Sequence, residues 1–199
     1  VLAIEPETGL FVAVGDPDGR VVMNGLEWAD YEAILAIRGA QSGVRLCFAR
    51  GDLEIARWSE THASLRAALH RLLEIFAEAR GVALHACSLT VTNRPAELAA
   101  EPDACYAVGR PSAAPDLAIE IIWPPGGLDR QRLCAGLGIR ELWEWRDGHI
   151  DVYVLRGTDY IARVGSDVLP GLDLNLLVRL AEQPDQMQAA AELREALGR

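Results

Sequence analysis

Residues 101–143 read EPDACYAVGRPSAAPDLAIEIIWPPGGLDRQRLCAGLGIRELW, the part of the chain richest in both strand and turn signals. Two runs, Asp103 to Val108 and Asp116 to Ile122, are rich in branched and aromatic residues and flank a loop that holds Gly109, Pro111 and Ser112. That pattern predicts a β-hairpin with antiparallel strands. If Val108 lies roughly opposite Asp116, the register brings Asp103 within a residue or two of Glu120, so two carboxylates meet at one end of the pair. Asp116 faces the same way as Glu120. Four residues along a strand is about 13 Å, however, too far to share an ion, so Asp103 is the better partner.

An acid inside an apolar strand is costly to bury, and a second beside it adds like-charge repulsion unless a cation neutralises both. Carboxylate oxygens of this kind suit Mg²⁺ or Mn²⁺. The plainer reading puts both side chains at a solvated sheet edge, or uses one to cap a turn. Both readings stand at the level of sequence.

C-terminal to the hairpin, Trp123-Pro124-Pro125-Gly126-Gly127 breaks the strand. A helix can begin at Leu128, carrying Asp129, Arg130 and Arg132, and stop at Gly138. Arg140 to Trp145 and Ile150 to Leu155 flank Asp147-Gly148, a type I′ hairpin signal. Tyr160 to Val164 adds a last strand. Leu172, Leu176, Leu177 and Leu180 then make one helical face behind Asp173 as N-cap, and Pro184 to Leu197 forms a polar, Ala-rich helical end.

N-terminal to the hairpin, Thr92 to Glu101 reads as a polar loop and Val82 to Val91 as a strand. From Glu60 to Arg80, Leu65, Ala68, Leu69, Leu72, Leu73 and Phe76 recur at helical spacing, and Gly81 supplies the stop. Arg66, His70, Arg71, Glu74 and Glu78 take the other face. His62 stands at the helix entry, either reaching a site at the sheet edge or sitting solvated as a capping residue. Val44 to Phe48 and Leu53 to Ala56 read as another hairpin, in which Glu54 is either an outward residue or a third acid. Trp28, Tyr31, Ile34, Leu35 and Ile37 give a short helix one apolar face before Gly39. Leu10 to Val14 reads as a first strand ended by a turn over residues 15–19.

The chain has 199 residues, half of them hydrophobic, enough for one domain spanning 1–199 with a substantial core. We read 1–26 as an N-terminal extension and 184–199 as a C-terminal helical tail. No apolar run approaches the roughly 20 residues that span a bilayer, so the expectation is a soluble, cytoplasmic protein without a membrane partner. Cys47, Cys87, Cys105 and Cys134 form no CxxC pair, which argues against a zinc site and for reduced thiols. The formal charge of −10 opposes general attraction to phosphate backbones, so contact with nucleic acid needs a local basic patch. All nineteen basic residues are Arg. Arg can neutralise phosphate but, with a pKa above about 12, is a poor proton acceptor.

The order of elements predicts an α+β core with helices against a mixed sheet. From Trp28 to Leu180 the sequence resembles the Uma family of putative restriction endonucleases, a branch of the PD-(D/E)XK nuclease superfamily. The resemblance is carried by Gly43-Val44-Arg45, Gly51-Asp52-Leu53-Glu54-Ile55, His62, Glu101-Pro102-Asp103 and Pro115-Asp116-Leu117-Ala118-Ile119-Glu120. It continues through Gly127, Asp129, Gly136-Leu137-Gly138-Ile139-Arg140-Glu141-Leu142-Trp143 and Leu169-Pro170-Gly171-Leu172-Asp173-Leu174. It implies a restriction-endonuclease-like fold and a divalent-metal-dependent endonuclease acting on DNA, a homodimer being plausible. By the same resemblance Asp103 and Glu120 hold Mg²⁺ or Mn²⁺, with Glu54 and His62 auxiliary.

The sequence departs from the family pattern in three respects. Ile122 stands two residues after Glu120 where the superfamily has an activating lysine, and Arg130 occupies the displaced lysine position of the Uma branch. Cys134 replaces a common Tyr, and Ala63 an acid often found after the His. These departures imply a second reading, a catalytically degenerate relative that binds nucleic acid or a protein. A third makes exposed Trp143 and Trp145 the centre of an interaction module.

Overall fold

The computed structural model describes residues 2–4, 11–13, 19–40, 43–87, 90–110, 114–122 and 126–198. Its strands run in chain order as β1 (Leu2–Ile4), β2 (Phe11–Ala13), β3 (Arg20–Met23), β4 (Val44–Ala49), β5 (Asp52–Arg57), β6 (Leu84–Ala86) and β7 (Val91–Asn93). They continue as β8 (Leu98–Ala100), β9 (Ala104–Val108), β10 (Leu117–Ile121), β11 (Glu141–Arg146), β12 (His149–Arg156) and β13 (Asp159–Arg163). The helices are α1 (Trp28–Arg38), α2 (Glu60–Arg80), α3 (Arg130–Gly136), α4 (Leu174–Ala181) and α5 (Gln186–Ala196).

The strands form two main sheets. One has six strands in the order β13-β12-β11-β10-β9-β6, and the other has five in the order β3-β5-β4-β8-β7. β10 and β11 pair in parallel, with α3 between them in sequence, while the other pairs of the larger sheet are antiparallel. Among the described strands, β1 and β2 pair only with each other.

Alternation along the strands assigns the two faces of the larger sheet. Leu117, Ile119, Ile121, Trp143 and Trp145 point to one side and pack with Leu69, Leu72, Leu73 and Phe76 of α2 and with Leu177 and Leu180 of α4. Ala118 and Leu142 point to the other side, toward Cys47, Leu98 and Ala100 of the smaller sheet and Leu133 and Cys134 of α3. Glu120 lies between Ile119 and Ile121 and so points to this second side. A third cluster holds Tyr31 of α1 over Leu46, Phe48 and Leu53.

Local chemistry explains the element ends. The Ser59 hydroxyl accepts the His62 N–H at the start of α2, and Gly81 closes the helix in the left-handed region at φ 67°. Asp129, Asp173 and Asp185 cap α3, α4 and α5 in the same way. Asp147 and Gly148, both at positive φ, make the two-residue turn between β11 and β12, and Arg50-Gly51 does so between β4 and β5.

Several expectations are corrected. Val82 to Val91 is not one strand: β6 joins the larger sheet and β7 the smaller, so the chain changes sheets between them. The expected loop over Thr92 to Glu101 contains β8, buried throughout and paired with β4 and β7. Its Leu-Ala-Ala sequence is too short to show a period. Ile37 is 83 % exposed and takes no part in the apolar face of α1. Trp143 and Trp145 are core residues, which removes the exposed aromatic module. β3, which extends the smaller sheet beside β5, was not anticipated. Residues 15–18 of the expected first turn and 123–125 of the strand break lie outside the described residues.

Candidate functional site

The β9–β10 register is Leu117 with Tyr106, Ala118 with Cys105 and Ile119 with Ala104. The next position places Asp103 opposite Glu120, one residue from the assumed register and in the direction that unites the acids. Both carboxylates are fully buried. They face the smaller sheet, whose β4 contributes Arg45 and whose β5 contributes Glu54.

Arg45 holds the two acids together. Its Nη1 lies 3.0 Å from Asp103 Oδ1 and 3.1 Å from Glu120 Oε2. Asp103 Oδ1 also accepts the Trp58 indole N–H at 2.7 Å and lies 2.8 Å from His62 Nε2, while Oδ2 accepts the Ile121 N–H at 2.7 Å. Arg130, the first residue of α3, places Nε 3.5 Å from Glu120 Oε2 and donates Nη2–H to Glu54 Oε1. Glu54 Oε2 accepts the Leu128 N–H at 2.8 Å, and Arg20 of β3 approaches Oε1 at 3.7 Å. Glu54 is therefore an inward, third acid. Gly127 makes this approach possible: at φ +85°, a Cβ there would stand 2.0 Å from Glu54 Oε2.

The five side chains singled out from the sequence, Asp103, Glu120, Arg130, Glu54 and His62, thus lie in one buried cluster. His62 meets it at Asp103 Oδ1 and through its ring, whose centroid lies 6.0 Å from that of Trp58. Glu101 is just outside, with Oε1 accepting from Arg38 at 2.6 Å and from Thr90 at 2.9 Å, and Oε2 accepting the Leu46 N–H at 2.9 Å. Asp116 is elsewhere, accepting the Val108 N–H at the far end of the hairpin.

Sequence reasoning missed Arg45, Trp58 and Arg66 as members of the site. Arg45 carried the same signal as Glu120, a charge inside an apolar strand. Arg66 sits on the polar face of α2, yet its Nε donates to the Asp103 carbonyl and its guanidinium lies 4.7 Å over the Trp58 ring. No pattern in the sequence separates it from the solvated arginines of that face.

The neighbours push the two carboxyls in opposite directions. Burial alone would raise the Asp103 pKa, but Arg45, His62 and the Ile121 N–H together hold it down to about 2. For Glu120 burial wins over Arg130 and Arg45, and the charge of Asp103 adds to it, so its carboxyl titrates above the ordinary range. Arg45 stays charged, since attraction from Asp103 and Glu120 outweighs the burial that would lower its pKa.

A model of the Uma2 family, described as a putative restriction endonuclease, matches residues 28–181. The chain belongs to the Uma2 family. The match takes in every residue of the cluster except Arg20, and the α+β architecture is that of a restriction-endonuclease-like fold. No curated protein matches this Uma2 chain.

Nucleases of this class generally use divalent metal ions. Two carboxylates converge on one point already held by a cationic group, and Glu120 Oε1 is buried without a hydrogen-bond partner among the described residues. That is a donor set for a hard cation. No group of three or more His, Cys, Asp or Glu residues among the described residues surrounds such a point. Arg45 Nη1 lies between them, so an ion bridging both acids requires the guanidinium to withdraw.

Proposed function

We propose that this Uma2-family protein is a divalent-metal-dependent DNA endonuclease that hydrolyses phosphodiester bonds at the Asp103–Glu120 pair. The observation that carries the reading is the convergence of two carboxylates, from neighbouring strands, on a single nitrogen of Arg45. Asp103 and Glu120 would hold Mg²⁺ or Mn²⁺, which when bound polarises a phosphate and makes water a better nucleophile.

The other roles belong to the chain itself. Arg130 orients the scissile phosphate and offsets the charge that develops on it, since a guanidinium is a fork of donors that does not give up its proton at neutral pH. Glu54 aims Arg130 and fixes the start of α3 through Leu128. His62 and Trp58 both donate to Asp103 Oδ1 and keep that carboxylate turned toward Glu120.

DNA contact on a chain of charge −10 requires basic residues gathered in one place. Arg20 and Arg57 line a crevice against Trp58 and His62, and Arg66 lines the adjoining cavity of about 260 Å³. This concentration of arginine over the acids supports a phosphate-bearing ligand.

A second reading, a relative that keeps the fold and only binds, is favoured by one specific observation: both carboxylates are 0 % exposed and already matched by guanidinium groups. Nicking of supercoiled plasmid in Mg²⁺ or Mn²⁺, run beside the Asp103→Ala, Glu120→Ala double variant, decides between them. Activity present in the parent and absent from the variant is expected. Equal nicking by both, or none by the parent on any DNA tested, overturns the endonuclease reading.

A further inference from the structure

β13 ends the six-stranded sheet. Asp159 to Arg163 pair with β12 through five consecutive positions without a bulge, and no other described strand pairs with them. The outward N–H and C=O groups of such an edge are a template for another strand. Proteins ordinarily blunt an edge of this kind with proline, a bulge or charge. β13 contains no proline, and its two charges are arranged in a particular way.

The strand reads Asp159-Tyr160-Ile161-Ala162-Arg163, with opposite charges at equal distances from the central Ile161. In an antiparallel pairing of two copies about Ile161, Asp159 of each faces Arg163 of the other and Tyr160 faces Ala162. Asp159, Ile161 and Arg163 lie on one face of the strand, as alternate residues must. Both charged side chains are exposed, and neither forms an ion pair among the described residues; Asp159 Oδ2 accepts the Thr158 hydroxyl at 2.9 Å. A strand lacking this pattern would leave one or both charges unmatched, so the edge selects for its own copy.

The apolar component sits in the middle. Ile161 is 52 % exposed, and its register partner Val154 is a fully buried core residue, as Val152 beside Arg163 nearly is. The exposed flank of Ile161 therefore continues the core on the helix-bearing face out to the edge. Pairing about Ile161 brings two isoleucines together and closes each end with an ion pair, an apolar centre with a charged rim.

We propose that the protein associates with a second copy of itself through antiparallel β13–β13 pairing about Ile161, forming a two-fold dimer in which the larger sheets run on into one another. A two-fold contact must be self-complementary, and the placement of Asp159, Ile161 and Arg163 satisfies that requirement.

The test is sedimentation velocity over a concentration series on the full chain and on Asp159→Arg, Arg163→Asp and the double variant, with thermal melts to verify that each is folded. We expect the parent to dimerise. Each single reversal places like charges opposite each other in both symmetry-related pairs and should weaken association about tenfold. The double variant exchanges the charges and should recover parental association. A parent that stays monomeric overturns the proposal, as does a dimer that neither single reversal weakens or a double variant that fails to recover.

Discussion

Asp103 and Glu120 share a wall and a neighbouring guanidinium, yet their surroundings drive their protonation apart, and this difference has opposite consequences for stability. The Asp103 carboxyl is lowered from 3.8 to about 2 in the folded chain. It thus contributes stability that is complete above about pH 4 and is lost as pH falls through 2, on the order of 2 kcal/mol. Glu120 has the reverse sign, because a carboxyl raised by burial costs stability as pH rises above the unfolded carboxylate range. In metal-free buffer at pH 7, Asp103→Asn should lower the unfolding free energy by about 3 kcal/mol, since it leaves Arg45 short of its strongest partner. Glu120→Gln should cost far less or raise stability. Urea denaturation of both variants checks this, and equal losses would contradict it. Arg45→Met probes the same point from the other side. With the competing cation gone, calorimetric Mn²⁺ affinity should rise about tenfold, and adding Asp103→Ala should abolish the binding. The acids were legible in the sequence because charge in an apolar strand demands a partner. Arg45 obeys the same rule, but an arginine in a strand does not by itself indicate which acid it pairs with.

Among the elements, the loop entering α3 is the most demanding of sequence. Gly127 at φ +85° leaves the space that Glu54 Oε2 occupies. Gly127→Ala should therefore push Glu54 away from Leu128 and Arg130, with a loss of about 1–3 kcal/mol for the backbone strain alone and a larger total. Chemical denaturation together with proteolysis near residues 126–130 would detect it, and an unchanged midpoint would show that the loop can adapt. The elements most readily read from sequence were those with both a period and an end signal. α2, with its apolar stripe and Gly81 stop, ends where the sequence indicates. The β11–β12 hairpin follows from Asp147-Gly148 for the same reason. β3, β6, β7 and β8, at three or four residues each, are too short for periodicity, and their placement depends on which sheet they join. That choice is tertiary, made by partners distant in the chain such as β4 for β8 and β9 for β6.

At the scale of the molecule, the charged cluster stands between the two sheets. Arg45 reaches from the smaller sheet to Asp103 and Glu120 of the larger, while Arg130 ties Glu54 of the smaller sheet to Glu120. Arg130→Met, which severs the α3 link but keeps the apolar stem, should speed amide exchange in α3 and in β5 more than in α2 or α5, as measured by mass spectrometry. Uniform change across the chain would show that the link is not local. The division into two sheets was not legible, because hydrophobic alternation tells which residues are inside but not which inside they share. These side chains also act as mortar: the same ionic joint that could grip a phosphodiester keeps two halves of the body together. Replacing Asp103 or Glu54 therefore carries an architectural penalty that is separate from any chemistry done at the site.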